Sequence, residues 1–497
     1  MADGLFLGVD VGTSGVKALL VTAGGDVTAT VTTPLTLETP EPGWAEQAPD
    51  AWWSAAAVSI RQLLEGSPGV QVTAIGVTGQ QHSSVFLDSE GAVIRPALLW
   101  SDGRTGAECA EITRRVGGED RLREWVSNAA LAGFTLPKVL WLRNHEPAAF
   151  ARLATVLLPK DFIRYRLTSQ LASEPSDASG TLMYDPAHLR WSTDMMKAVE
   201  LPMSLLPDVG GSSEVLGRVS RDAARVTGLA PGTPVVGGGG DNACGAAGVG
   251  AVTPGEAVAS WGTSGTVLAP TGAPKVDPAM RAHTFCHVVP GMWYVIGVVL
   301  SAGGAWSWFR DRFAVDLAGA ADADARLTNE AATAPPGAGG VVFLPYLQGE
   351  RTPHRDPEMR GAFVGLSLAH SRAHLARAVL EGVCFALRDS VQILQEMGLA
   401  PGSLLLTGGG ARNPFLRQLQ ADVFGVSVGT VNRDEGPAYG AALLAAVGAG
   451  AFRDLEAAAR HTVKRGPLET PNPGAHALYD EFHAHFQACY HAARVNS

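Results

Sequence analysis

Two aspartates and a repeated tetrapeptide carry the chemistry legible in this sequence. Asp10 stands two residues ahead of a Gly-Thr-Ser-Gly turn at residues 12–15, and the same four residues recur at 262–265. Each copy follows a short apolar run (5–10 and 257–261) and precedes β-prone residues (16–20 and 266–268). A strand, a tight turn of glycine and hydroxyl residues and a returning strand make a phosphate cradle. Glycine lets backbone N–H groups approach an anion, and Ser/Thr hydroxyls add donors without bulk. Gly12, Thr13 and Ser14 in one turn, with Gly262 and Thr263 in the other, are therefore candidates for gripping one nucleoside triphosphate between two duplicated halves. Two ordinary hairpin turns are the plainer reading, and the matched strand context argues against it.

A carboxylate at Asp10 can hold Mg2+, usually through water, because Mg2+ takes few protein ligands. Lys17, on the returning strand, can supply charge to the phosphates. Taken singly, Asp10 is a turn-stabilising residue and Lys17 a solvated lysine; beside the cradle both read as functional. Asp241 follows four glycines, more than a helix cap needs, and such a run admits a substrate to the backbone. An aspartate near a helix N-terminus stays ionised, so Asp241 is expected to cap the next helix and to accept a hydroxyl proton during phosphoryl transfer. Asn242 is its neighbouring substrate contact. Gln81 and His82 follow a buried strand, and their amide and imidazole offer the donors and acceptors a polyol requires, although a lone His is usually structural. Gly409, Gly410 and Asn413 open another helix, where they could pack against an adenine; a simple strand–helix turn competes with that reading. His283, Cys286 and His287 look like metal ligands, but residues 282–289 read as a strand with no further ligand cluster, so packing is expected.

The elements that must position these residues alternate strand and helix in both halves, which is the α/β class. Trp53, Ala57, Ile60 and Leu64 repeat at helical spacing behind an expected cap at Asp50. A buried strand at 72–78 leads into Gln81-His82, and a helical stretch runs through 137–142. The strand at 235–236 enters the glycine run. In the second half, a long helix is expected over about 371–397, a strand at 404–407 before three glycines, and a closing helix carrying Leu478, Phe482, Phe486 and Cys489. The boundary falls near 249–255, giving domains at 1–249 and 250–497.

Composition narrows the class further. A chain of 497 residues exceeds one core. A net charge of −10 without long basic runs argues against nucleic acid or an anionic membrane as partner. Five scattered cysteines without a Cys-x-x-Cys pair fit a reducing compartment. No signal peptide is visible, and the longest small-apolar stretch, near 441–451, is too short to span a bilayer, so a cytoplasmic protein is expected. Neither the P-loop pattern nor Gly-x-Gly-x-x-Gly is present, so phosphate chemistry needs another arrangement.

Taken in order, these pieces resemble the FGGY carbohydrate kinases over nearly the whole chain. Matching elements include residues 8–17, Glu46-Gln47-Ala48-Pro49 ahead of Trp52-Trp53, Gly79-Gln80-Gln81-His82, and Leu99-Trp100-Ser101-Asp102-Gly103-Arg104. Residues 133–142 look like the family's N-terminal signature, and 158–161 and 238–242 follow. The second half matches through 260–265, Leu344 to Pro353, 408–413 and the C-terminal signature at 361–381. The resemblance implies an actin-like ATPase architecture, two RNase H-like domains with ATP and sugar in the cleft between them. It implies ATP-dependent phosphorylation of D-xylulose, a pentulose, at its 5-hydroxyl, with Asp241 as base and Asp10 near Mg2+. Gln81, His82, Asp241, Asn242 and Arg104 would hold the sugar, and Thr13, Thr263, Gly303, Ser307, Gly410 and Asn413 would contact ATP. Pentulose kinases of the family often have methionine where Gln81 stands, glycine where Ser83 stands and asparagine where Ser101 stands. These exchanges keep the kinase chemistry and leave another ketose or polyol, such as D-ribulose, as an alternative. An actin-like ATP-driven switch is the alternative from a different class. Dimers are common in the family, though no interface is readable in the sequence.

Overall fold

The computed structural model describes residues 4–433 and 435–494. The first sheet contains β1 (Leu5–Val11), β2 (Gly15–Thr22), β3 (Val27–Pro34), β4 (Val72–Gly79), β5 (Val215–Arg218) and β6 (Pro234–Val236), in the order β5-β6-β4-β1-β2-β3. A two-residue strand, β7 (Gly239–Gly240), also pairs with β4. The second sheet contains β8 (Val258–Trp261), β9 (Gly265–Thr271), β10 (His283–Cys286), β11 (Trp293–Val299), β12 (Ser403–Gly408), β13 (Ser427–Val431) and β14 (Arg465–Glu469), in the order β10-β11-β9-β8-β12-β13-β14. Each sheet contains a three-stranded antiparallel meander, β1-β2-β3 in the first and β8-β9-β11 in the second, where β10 adds at the outer edge of β11. A parallel strand then adds beside the first, β4 on β1 and β12 on β8. Central strands of such a sheet are covered on both faces, which is why β1 and β2 read as near-continuous apolar runs. This duplicated topology is the actin-like arrangement, and both Gly-Thr-Ser-Gly turns are equivalent hairpins in it.

The helices are α1 (Pro49–Glu65), α2 (Thr135–His145), α3 (Asp241–Gly248), α4 (Gly303–Phe313), α5 (Arg372–Glu396), α6 (Pro414–Phe424) and α7 (Pro437–Gly448). Asp50 does not cap α1 as expected: Pro49 takes the first helical position after Ala48, and Asp50 lies in the first turn, paired with Arg166. The expected cap at Asp241 is likewise corrected, since Gly240 is the N-cap of α3 and Asp241 its first residue.

Helix α7 is small and apolar on all sides and almost wholly buried. It belongs to the second half of the sequence, yet it packs on β1 and β4 of the first sheet and against α3. The approach is backbone to backbone: a Cβ on Gly8 would collide with the carbonyl of Ala438, and one on Gly76 with that of Ala441. Gly440 meets the carbonyl of Cys244 in the same way. No described helix is long and apolar enough to cross a membrane.

Candidate active site

The two hairpins present different resources. In the first, Gly12 N–H bonds the Gly15 carbonyl at 3.0 Å, which closes the turn between β1 and β2. The Thr13 hydroxyl accepts from Trp100 Nε1 (3.0 Å) and donates to Gln80 Oε1 (3.1 Å), and its carbonyl accepts from Gln47 Nε2 (2.8 Å). Thr13 is therefore committed to shaping the turn, whereas Ser14 is exposed at its tip. In the second, Thr263 and Gly262 are exposed, and their carbonyls hold the start of α4. Gly303 N–H bonds Gly262 O at 2.8 Å, and Ala302 and Gly304 N–H bond Thr263 O at 3.0 and 2.9 Å. Ser307 follows one turn later on α4, half-buried. Gly409 and Gly410 come directly after β12. A Cβ on Gly410 would come 2.9 Å from the ring of Trp261, so glycine lets this turn lie flat on the end of β8. Asn413 Oδ1 accepts from Phe415 N–H at 2.9 Å and caps α6.

Asp10, at the end of β1, and Asp241, at the start of α3, meet at the floor of the cleft between the sheets, each with a small part of its surface open. Burial pushes the Asp10 carboxyl up to about 7; the charge of Asp241 adds to the shift and Lys17 opposes it. Burial also raises Asp241 to about 6, against hydrogen bonds from Asn242, Gln81 and its own backbone. Asn242 fixes one carboxylate oxygen, donating to Asp241 Oδ1 from its backbone N–H (2.8 Å) and from Nδ2 (3.0 Å). A cleft of about 310 Å3 opens from Asp241 and Asn242 to Ser260, Thr266, Thr407 and Gly408 on the second sheet, and to Gly436. Lys17 is placed differently from the expectation of a phosphate contact: its Nζ is held by the side chain (2.7 Å) and carbonyl (2.8 Å) of Glu435.

The pair Asp10–Asp241 therefore keeps negative charge that Lys17, already paired with Glu435, does not cancel. A divalent cation fits that deficit. Among the described residues no three His, Cys, Asp or Glu side chains converge on one metal position.

Gln81 and His82 lie beside Asp241, with His82 at φ 69°. Burial, reinforced by the charge of Arg351, lowers the His82 imidazole to about 3, so it is neutral. Its Nδ1 sits 2.6 Å from the Gly180 carbonyl, which can only accept; Nδ1 therefore carries the proton and Nε2 is left as an acceptor. The His82 carbonyl is gripped by Lys138 Nζ and the Thr135 hydroxyl, both at 3.0 Å, from the buried α2. The Gln81 side chain is occupied within the protein: Nε2 donates to Ser176 O (3.0 Å), and Oε1 accepts from Asn242 Nδ2 and the Tyr294 hydroxyl, both at 3.2 Å. It thus ties β11 to the residue that orients Asp241. Arg104 is not brought to the cleft floor. Its guanidinium pairs with Asp102 and Glu46, each at 2.7 Å, and stacks on Trp44 with the ring centroid at 3.5 Å.

His283 and His287 are buried and neutral, and Cys286 donates its backbone N–H to the Ser179 hydroxyl at 3.0 Å. Sequence reasoning passed over Tyr294, Ser176 and Lys138, whose partners lie 56 to 213 residues away. Lys138 alone left a signal, as a lysine inside an otherwise apolar helical stretch.

The matches with known proteins agree with this geometry. The family model for the N-terminal domain of the FGGY family of carbohydrate kinases matches residues 5–248, and that for its C-terminal domain matches 257–449. The xylulose kinase of Escherichia coli (strain K12) is 41% identical over 91% of this chain and 91% of its own length. A xylulose kinase of Staphylococcus epidermidis is 37% identical over 99% of this chain and 97% of its own. The crystal structure of a xyloylose kinase from Brucella ovis superposes with a TM-score of 0.90 at 35% identity, covering 99% of this chain and 100% of that one. Two matched half-domains, a duplicated sheet and a carboxylate at the meeting of the halves have one common explanation: the chain belongs to the FGGY family of carbohydrate kinases.

Proposed function

We propose that this chain phosphorylates D-xylulose at its 5-hydroxyl with MgATP, giving D-xylulose 5-phosphate and ADP. The observation that carries the reading is Asp241: a carboxylate at about 6, with one oxygen fixed by Asn242, at the floor of a cleft whose other wall is the second sheet. The similar xylulose kinases supply the substrate class.

In this mechanism Asp241 takes the proton of the 5-hydroxyl as the sugar oxygen forms its bond to the γ-phosphorus. The bond from γ-phosphorus to the bridging oxygen breaks, and ADP leaves with that oxygen. A base near neutrality is ionised at working pH and still has driving force to accept the proton. His82 Nε2 accepts from a sugar hydroxyl, while Gln81 and Arg104 act behind the site as positioning residues. The exposed turns at Ser14 and Gly262–Thr263, with Gly303, Ser307, Gly409, Gly410 and Asn413 around them, face the nucleotide. Mg2+, held near Asp10 through water, would neutralise phosphate charge; Lys17 stiffens the same wall from its pair with Glu435. The use of ATP and a free sugar assigns the protein to the cytoplasm.

Coupled ADP release with MgATP against D-xylulose, D-ribulose, L-xylulose, L-ribulose and glycerol tests the reading, with Asp241→Ala alongside. Selectivity for D-xylulose, lost in a variant that still binds ATP, is expected. Preference for another sugar would move the substrate, and sugar-independent ATP hydrolysis would favour a switch.

A further inference from the structure

A guanidinium taken out of water is normally met by a carboxylate or by several carbonyls. Arg351, contributed by the second half, is only half-buried, and its side chain forms no ion pair or hydrogen bond with any described residue, so its N–H groups are left to solvent or to a ligand. The adjacent Glu350 accepts the backbone N–H of Arg351 at 2.6 Å, but its other oxygen is buried without a partner, and burial pushes its carboxyl well above the usual range. The guanidinium reaches across to the sugar side of the cleft, where an added Cβ on Gly133 would come 2.6 Å from Nη2 and 2.8 Å from the Trp100 carbonyl. Its field is felt at His82 and His283.

A matching set of acceptors lies beside it. Asn128 donates Nδ2 to Thr284 O (2.8 Å) and accepts Thr284 N–H at Oδ1 (3.1 Å), which fixes its orientation. His283 Nδ1, 3.3 Å from that Oδ1, is therefore the protonated nitrogen. His283 Nε2 is left as a lone-pair acceptor, fully buried and without a partner. The Phe134 and Phe285 rings pack against both imidazoles, with centroids 4.7 to 5.9 Å away. An unused cationic donor and an unused neutral acceptor in an apolar wall fit a ligand with an oxygen that can only accept, next to a hydroxyl that can donate.

We infer that Arg351 and His283 bind the C1–C2 hydroxyketone end of the sugar, the guanidinium donating to the C2 carbonyl and the C1 hydroxyl donating to His283 Nε2. The inference rests on the proposal that Asp241 receives the 5-hydroxyl. Ring closure of a 2-pentulose joins O5 to C2, so the 5-hydroxyl is free to react only when C2 is an open carbonyl. A guanidinium on that carbonyl therefore selects the reactive form of the sugar while the opposite end meets the base.

The test compares the wild-type protein with Arg351→Met, using turnover and the thermal stabilisation given by D-xylulose alone. Loss of a charge-assisted contact should raise the KM for D-xylulose roughly 10- to 100-fold, abolish the sugar-induced stabilisation and leave the KM for MgATP unchanged. Should that variant fail to fold, Arg351→Gln is read the same way. 1-Deoxy-D-xylulose, which lacks the C1 hydroxyl, should bind the wild type roughly tenfold more weakly than D-xylulose. Unchanged sugar KM and stabilisation in the variant, or equal binding of the 1-deoxy sugar, overturns the inference. A wild-type protein inert toward D-xylulose overturns instead the function on which it rests.

Discussion

Asp241→Asn removes a proton acceptor and keeps the shape of the side chain, and the structure sets how much each consequence is worth. Burial raises this carboxyl from 3.8 to about 6. Because the folded chain binds this proton more tightly than the unfolded one, the group's contribution to stability is complete below pH 3.8 and is lost as pH rises through 6. Above that window a shift of about two pK units destabilises the fold by about 3 kcal/mol. Asparagine carries no charge at any pH, and its loss of charge also relieves Asp10. The variant should therefore exceed the wild type by about 3 kcal/mol at pH 8 and by about half that at pH 5. Its turnover should fall roughly 10²- to 10⁴-fold, and the acid limb expected in the wild-type kcat/KM below pH 6 should be absent from the variant. Denaturant titrations of the ligand-free protein at the two pH values, with coupled ADP release, measure both effects. A variant no more stable than the wild type at pH 8, or one within tenfold of its kcat, would refute the reasoning.

Two further outcomes follow from the same geometry. Asp10→Asn should raise the Mg2+ concentration for half-maximal activity roughly tenfold or more while leaving the KM for sugar near its wild-type value; an unaltered Mg2+ titration would remove Asp10 from the metal site. Arg104→Ala leaves Asp102 as a buried carboxylate without its ion-pair partner, while Glu46 keeps Arg95, so it should destabilise the fold by about 3–5 kcal/mol, read as a lower denaturation midpoint with little change in sugar KM. An unchanged midpoint with a large rise in KM would return Arg104 to the sugar site.

What the sequence disclosed was local chemistry. The two Gly-Thr-Ser-Gly turns, Asp10 and Asp241 were readable because each lies within a few residues of the strand or glycine run that gives it meaning. What a side chain is paired with was not readable. Lys17 looked available for phosphate, and its partner Glu435 is 418 positions away. Arg104 looked like a sugar ligand until Glu46, Trp44 and Trp141 folded around it. Gln81 was read as a sugar contact, whereas Asn242 and Tyr294 already fill its acceptor oxygen and Ser176 takes one of its N–H donors. Arg351 was noticed only within a longer motif, because lacking a partner is a property of three-dimensional surroundings. The helix caps failed for a smaller reason: with Pro49 and Gly240 in the chain, the N-cap settles at Ala48, two residues before Asp50, and at Gly240, one before Asp241.

The seating of α7 on β1 and β4 also has a temporal meaning. A ribosome makes the first sheet's strands within the first 240 residues, but the helix that covers one face of that sheet is not complete until residue 448. Through that interval the nascent first half carries an uncovered apolar face, notched at Gly8 and Gly76 for a backbone not yet synthesised. Domain-by-domain folding during synthesis is therefore closed to this chain: the first lobe must wait for the second, which makes the growing polypeptide a natural client for chaperones that shield such faces. The same dependence means that a first half cut off before residue 437 would lack the helix that covers one face of its sheet.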